Sequence, residues 1–267
     1  MVRYSFIIVR PLSTFQSEGE IYRSLALIRK CGYEGVELNL TEPLGISEDL
    51  LQEWLTEFEL VIPSFLTGEA YFEGLCLSSS DSDIRQKTVK RLIRYVEVCE
   101  KFNAVMVVGL LQGLHSDEPS IDVANDRIVR CLRSVADTAE DKGVKMVIEP
   151  VNHLQVGFNN SVAEVLNLVR RVDSPSLFPM VDTIHMNIEE TSLVQPIREC
   201  GSRLRHVHLC ESNGGLFGTG NVDFKAVLEA LRDIGYKRFA SVKVYQRAKL
   251  AAAARSSMEF LQKLVIH

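Results

Sequence analysis

"VKMVIE", residues 144–149, decides how the rest of the chain is read. It is apolar at Val144, Met146, Val147 and Ile148, and it ends in Glu149, followed by Pro150. Short, near-continuous apolar runs of this kind mark parallel strands covered by helices. Seven more runs share the form: "YSFIIV" (4–9), "GVELNL" (35–40), "LVIPSF" (60–65), "AVMVVG" (104–109), "LFPMVD" (177–182), "RHVHLC" (205–210) and "ASVKVY" (240–245).

Helical patterns separate them. Residues 82–102 carry Val89, Leu92, Ile93 and Val96 on one face, with Ser82 as N-cap candidate. The pattern over 126–143 closes at Gly143, those over 161–172 and 223–235 open at Ser161 and Asp223, and the latter ends at Gly235. Eight strands alternating with helices over about 250 residues predict a (β/α)8 TIM barrel, an α/β fold. A doubly wound open sheet competes with it on periodicity alone. Without linker, repeat or low-complexity tract, residues 1–267 read as a single domain. The long connection 66–82 follows the third strand, and "ESNGGLFGTGN" (211–221), with four glycines, follows the seventh. The latter matches neither phosphate-cradling fingerprint and reads as a lid or turn.

Composition narrows the function. The chain is 46% hydrophobic and 24% charged, with a net charge of −5. The balance lacks the basic footprint of a nucleic-acid binder. Apolar runs stay short of the roughly 18 residues a membrane span needs. "MVRYSFIIVRP" reads as a first strand rather than a signal peptide. Six cysteines, at 31, 76, 99, 131, 200 and 210, form no C-x-x-C pair and read as reduced thiols of a cytoplasmic protein.

In a barrel of this kind chemistry sits at the C-terminal strand ends. There the sequence places Glu149, Asp182, His206, His208 and Lys243. Alternation puts Glu149 with Val147, His208 with His206, and Lys243 with Ser241 on faces that can turn into the barrel mouth. Lys243 then faces Glu149, Asp182 and His208; a one-residue slip would send it outward instead. Each has a structural alternative: Glu149 as a turn cap, Asp182 as a helix N-cap, His208 as a hydrogen-bonded core histidine. Together, two carboxylates and an imidazole at successive strand ends suit a divalent ion such as Mn2+, Co2+, Mg2+ or Zn2+.

"IEPVN" (148–152), "VDTIHMNIEE" (181–190), "HVHLCESN" (206–213), "GTGNVDF" (218–224) and the stretch 66–85 resemble the sugar phosphate isomerase/epimerase family with a xylose isomerase-like barrel. Ketose 3-epimerases and keto-sugar-acid epimerases are the nearest likeness. The resemblance implies metal ligands Glu149, Asp182 and His208, with His185, Gln155 and Glu211 as substrate-binding residues. It implies a metal that polarises a ketose carbonyl while two catalytic residues move a proton through an enediolate. It also implies a small-molecule sugar substrate and a homo-oligomer, dimer or tetramer.

The sequence departs from that pattern where the chemistry lies. Lys243 stands where the family has its second catalytic glutamate, Gln155 replaces a substrate-contacting glutamate, His153 an arginine, and Gly214 another arginine. With Lys243 protonated, Glu149 and Asp182 leave a net −1, the same as three carboxylates and a divalent ion. The expected function is a sugar isomerase or epimerase in which Glu149 and Lys243 are the catalytic pair. The alternative is a silent or metal-free barrel that binds a sugar-like ligand or a partner.

Overall fold

In the computed structural model, which describes residues 2–42, 44–245 and 248–265, the short apolar runs pair in parallel and close on themselves. The elements in chain order are β1 (Arg3–Ile7), α1 (Glu18–Lys30), β2 (Gly35–Asn39), α2 (Glu48–Glu57), β3 (Ser64–Leu66), α3 (Glu69–Phe72), α4 (Ser82–Phe102), β4 (Val105–Val108) and α5 (Ile121–Asp141). They continue as β5 (Met146–Ile148), α6 (Val162–Val172), β6 (Leu177–Asp182), α7 (Thr183–Glu189), α8 (Gln195–Cys200), β7 (His206–Cys210), α9 (Phe224–Asp233), β8 (Phe239–Lys243) and α10 (Leu250–Val265). Each strand pairs with its sequence neighbours, and β8 returns to β1, so the expected barrel is present and the open sheet is not.

The third strand moves most from its expected place. Pro63 has no N–H to give a ladder, so Val61 makes a single bridge to Gly35 and regular pairing begins at Ser64. The cap of α4 is Asp81 rather than Ser82: the Asp81 carboxylate takes the Asp83 N–H at 2.7 Å. Ser161 caps α6 as expected, in a reciprocal capping box with Glu164. The chain leaves α5 through Gly143, whose φ of +69° a side chain would resist.

Most of the hydrophobic core lies between strands and helices. Met146, Ile148, Val181, Val207, Leu209, Ala240 and Val242 turn outward there, against faces such as Ile128, Leu132 and Val135 of α5. Full burial of each such aliphatic side chain stabilises the fold by about 1.5–3 kcal/mol. Inside the barrel the apolar cluster is small: Val107, Val147 and Met180. Leu66, Val105 and Phe178 pack against it, and beside them the interior carries a polar set, Ser5, Glu37, Ser64, His206, His208 and Ser241, all buried. Barrel interiors are ordinarily filled by branched aliphatics, so this polar column marks the axis along which chemistry is built. All six cysteines are unpaired and five are buried. Among the described residues no helix is long and apolar enough to cross a membrane.

Candidate active site

Parallel register brings the strand-end residues together. Asp182 lies level with His208 across β6–β7, and His208 with Ser241 across β7–β8, which sets Lys243 one step higher beside Cys210. No slip has occurred: Ser241 and Lys243 face inward while Ala240 and Val242 join the outer core. Lys243 Nζ lies 2.8 Å from Asp182 Oδ2 and 3.7 Å from Glu149 Oε1. His208 Nδ1 lies 3.1 Å from Glu149 Oε1 and 3.4 Å from Asp182 Oδ2. Asp182 also serves as a helix cap, its Oδ1 accepting the Ile184 N–H at 3.0 Å.

Three further residues hold this arrangement. Glu37 on β2 is fully buried; it accepts from His208 Nε2 at 3.1 Å and from His206 Nε2 at 2.7 Å, and it takes the Ser241 hydroxyl as well. It fixes the His208 ring so that Nδ1 faces the two carboxylates. Asn152 Nδ2 donates to His185 Nδ1 at 2.7 Å, which leaves His185 Nε2 carrying the proton, 3.8 Å from both Glu149 Oε1 and Asp182 Oδ2. Gly109 leaves room for the nucleus of the site, since a Cβ there would stand 2.7 Å from Glu149 Oε2. Glu37 had a signal in the sequence: it is a charge in mid-strand between Val36 and Leu38, as Lys243 is between Val242 and Val244. Asn152 and Gly109 had none, because only folding sets them beside the groups they serve.

Electrostatics follows from this packing. Burial works against the Lys243 ammonium, but the Asp182 and Glu149 charges outweigh it and raise its pKa well above the ordinary lysine value. Burial likewise opposes ionisation of Asp182 and Glu149, yet Lys243, with the histidines beside it, holds both below the usual carboxylate range. Burial alone would lower His208; the Glu37 charge and hydrogen bonds to Asp182, Glu149 and Glu37 raise it well above its usual value. Burial dominates at His185 and lowers it, so it stays neutral.

These groups open into a cavity of about 310 Å³, at the small end of the roughly 300–1,000 Å³ typical of ligand pockets. Glu149, His185, Gln155, Lys243, Tyr245 and Glu69 are among its walls. The short helix α3 from the 66–82 connection contributes Glu69, which burial raises in pKa. Gln155 reaches the rim from an exposed turn, whereas His153 points away and pairs with Glu189 at 2.6 Å. Glu211 lies elsewhere: its carboxylate accepts the backbone N–H groups of Ser212, Gly218 and Val222 at 2.9–3.0 Å. It therefore ties down the glycine-rich 211–221 loop, and it is not among the cavity walls.

Ligand atoms of Glu149, Asp182 and His208 lie within 4.8 Å of one another, so two carboxylates and an imidazole converge at a spacing that suits a divalent ion. A second group, Glu37 with His206 and His208, meets the same distance test but is committed to mutual hydrogen bonds. The donor set thus fits a divalent ion, with the Lys243 ammonium sharing the same gap.

A family model described as "Xylose isomerase-like TIM barrel" matches residues 25–264. The L-ribulose 3-epimerase of Mesorhizobium japonicum is 30% identical over 229 residues, covering 84% of this chain and 75% of the relative. A solved structure of L-ribulose 3-epimerase superposes with a TM-score of 0.88 at 24% identity, covering 100% of this chain and 95% of that one. The D-allulose 3-epimerase of Methylomonas sp., solved with D-allulose, gives 0.83 at 24% identity, over 98% and 96%.

Proposed function

The chain belongs to the xylose isomerase-like TIM barrel family, and from that premise we propose that it is a sugar epimerase that inverts a carbon beside the carbonyl of a ketose. The observation that carries the reading is the meeting of a carboxylate, Glu149, with an ammonium, Lys243, in one cavity that also holds His185. Glu149 removes the C3 proton, and the Lys243 ammonium delivers one to the opposite face of the enediolate; in the reverse direction the roles exchange. His185, neutral with its proton on Nε2, donates to a substrate oxygen. The 3.7 Å between Glu149 and Lys243 leaves no room for a carbon between them. Reacting atoms at about 3–3.5 Å on either side require the pair to part to about 6–7 Å. The flexible four-carbon stem of lysine supplies that movement.

Glu149, Asp182 and His208 are the residues that would hold a divalent ion, Mn2+, Co2+, Mg2+ or Zn2+. Such an ion, when bound, polarises the carbonyl and acidifies the adjacent C–H. The walls favour an uncharged sugar: among the described residues Lys243 is the lining ammonium, Asp182 already holds it, and an anion would also meet Glu69 and Glu149. The names of the relatives make L-ribulose and D-allulose the first ketoses to test.

The test is incubation with each ketose in D2O, followed by NMR of C3 and chromatography of the products. Deuterium at C3 together with the C3 epimer is the expected result. Exchange that yields an aldose and no epimer would replace two-face transfer by one-face isomerisation. Absence of both exchange and product from a panel of pentuloses and hexuloses would end the epimerase reading.

A further inference from the structure

The protein has seven tyrosines, and five of them give their hydroxyl proton to a protein acceptor: Tyr22 to Glu57, Tyr33 to Ala254, Tyr71 to Asp117, Tyr95 to Leu40 and Tyr236 to Phe239. Tyr4 and Tyr245 have no hydroxyl partner among the described residues. Tyr4 borders an outer groove with Leu228 and Leu264. Tyr245 borders the cavity that contains Glu149, His185 and Lys243. A tyrosine hydroxyl taken out of bulk water normally finds a partner, and here the cavity is where that partner would come from.

Tyr245 is also seated with care. Its N–H donates to the Gly214 carbonyl at 3.0 Å, and its ring lies against Gly214 itself. Gly214 has φ of +68°, and a Cβ there would stand 2.5 Å from the ring Cδ2. The absence of a side chain at 214 is therefore what allows the aromatic ring into this position. The Lys243 ammonium is 5.4 Å from the ring centroid, within range of its electron-rich face. Burial raises the phenol and outweighs the opposing Lys243 charge, with Asp182 and Glu149 adding to the rise, so the group keeps its proton and remains a donor.

We infer that Tyr245 is a substrate-binding residue whose hydroxyl donates a hydrogen bond to the sugar, and that Gly214 is the seat that makes its position possible. This rests on the epimerase reading for the identity of the ligand class, a polyhydroxylated carbon chain. The contact itself is independent of turnover. A neutral donor at 245 in place of a charged side chain at 214 also suits the uncharged character of the cavity walls.

The experiment is calorimetric titration of the whole protein with a pentitol and a hexitol, polyols that bind but cannot react, alongside thermal unfolding. Tyr245→Phe removes only the hydroxyl. Because that hydroxyl has no partner among the described residues, the melting temperature is expected to stay unchanged, while polyol affinity falls by about two- to tenfold, the range for one neutral hydrogen bond. Gly214→Ala, which displaces the ring, is expected to weaken binding at least as much and to lower the melting temperature. Unchanged affinity in Tyr245→Phe overturns the contact, and unchanged affinity in Gly214→Ala overturns the seat. A parent protein that binds polyols through Tyr245 but turns over no ketose would defeat the epimerase reading and sustain this one. A parent that binds neither polyol overturns it.

Discussion

Replacing Lys243 by methionine removes the ammonium and keeps the stem. In the parent, Nζ stands 2.8 Å from Asp182 Oδ2 and 3.7 Å from Glu149 Oε1. At an effective dielectric of about 20 those separations correspond to attractions of about 6 and 4.5 kcal/mol. Desolvation of each ion cancels several kcal/mol of this, and removing one partner from a buried pair leaves a net cost of about 3–5 kcal/mol. For a domain of this size that lowers the melting temperature by on the order of 10 °C. The deficit has a definite pH dependence. Asp182 and Glu149 have folded-state pKa values below their unfolded ones, so the stability they contribute is present above the unfolded values, about pH 4, and is lost as pH falls through the folded ones. Lys243 is raised, so its contribution is complete below the unfolded value, about pH 10.4, and is lost as pH climbs through the folded one. Lys243→Met should thus be most destabilised near pH 7 and should approach the parent as pH falls below about 4, where the carboxylates protonate. Thermal unfolding followed by circular dichroism at about pH 2.5, 4, 5.5 and 7 spans the window in which the carboxylates protonate and measures this. A variant within about 1 kcal/mol of the parent at pH 7, or a deficit that does not shrink in acid, would refute the view that Lys243 is the buried counter-charge of these carboxylates.

Two other perturbations test the same network. Glu37→Gln keeps the shape of the residue that orients His208 but removes its charge, and is expected to reduce turnover or bound-metal affinity by about 10–100-fold; kinetics that match the parent would make Glu37 a filler of the barrel interior. Lys243→Glu replaces the ammonium with a third carboxylate, a fourth donor beside Glu149, Asp182 and His208, so Mn2+ bound per chain after chelator stripping, read by elemental analysis, should show affinity at least about tenfold above the parent; equal affinities would mean that Lys243 leaves the metal gap freely.

Strand-end chemistry was legible because alternation is a local property. Glu149, Asp182, His208 and Lys243 each sit in a run whose apolar partners point the other way, and the barrel repeats that geometry eight times. Loop residues were another matter. Glu211 follows β7 at the height of the site, yet its carboxylate turns sideways to the N–H groups of Gly218 and Val222, a choice dictated by how the loop folds back. Gln155 and His153 are two residues apart, and one reaches the cavity rim while the other pairs with Glu189. Spacing along an irregular segment carries no such information.

By itself the sequence determined the strand and helix alternation, the inward set on β5 to β8, and the family to which the barrel belongs. Period and burial preference are written into each segment and need no distant partner. Only the tertiary structure decided that Glu37 reaches across the interior to His208 and His206, that Asn152 sets the proton on His185, and that Tyr245 takes the space above Gly214. Each of those depends on two segments far apart in the chain arriving within about 3 Å, the reach of a hydrogen bond, and closure of the barrel is the step that brings them there.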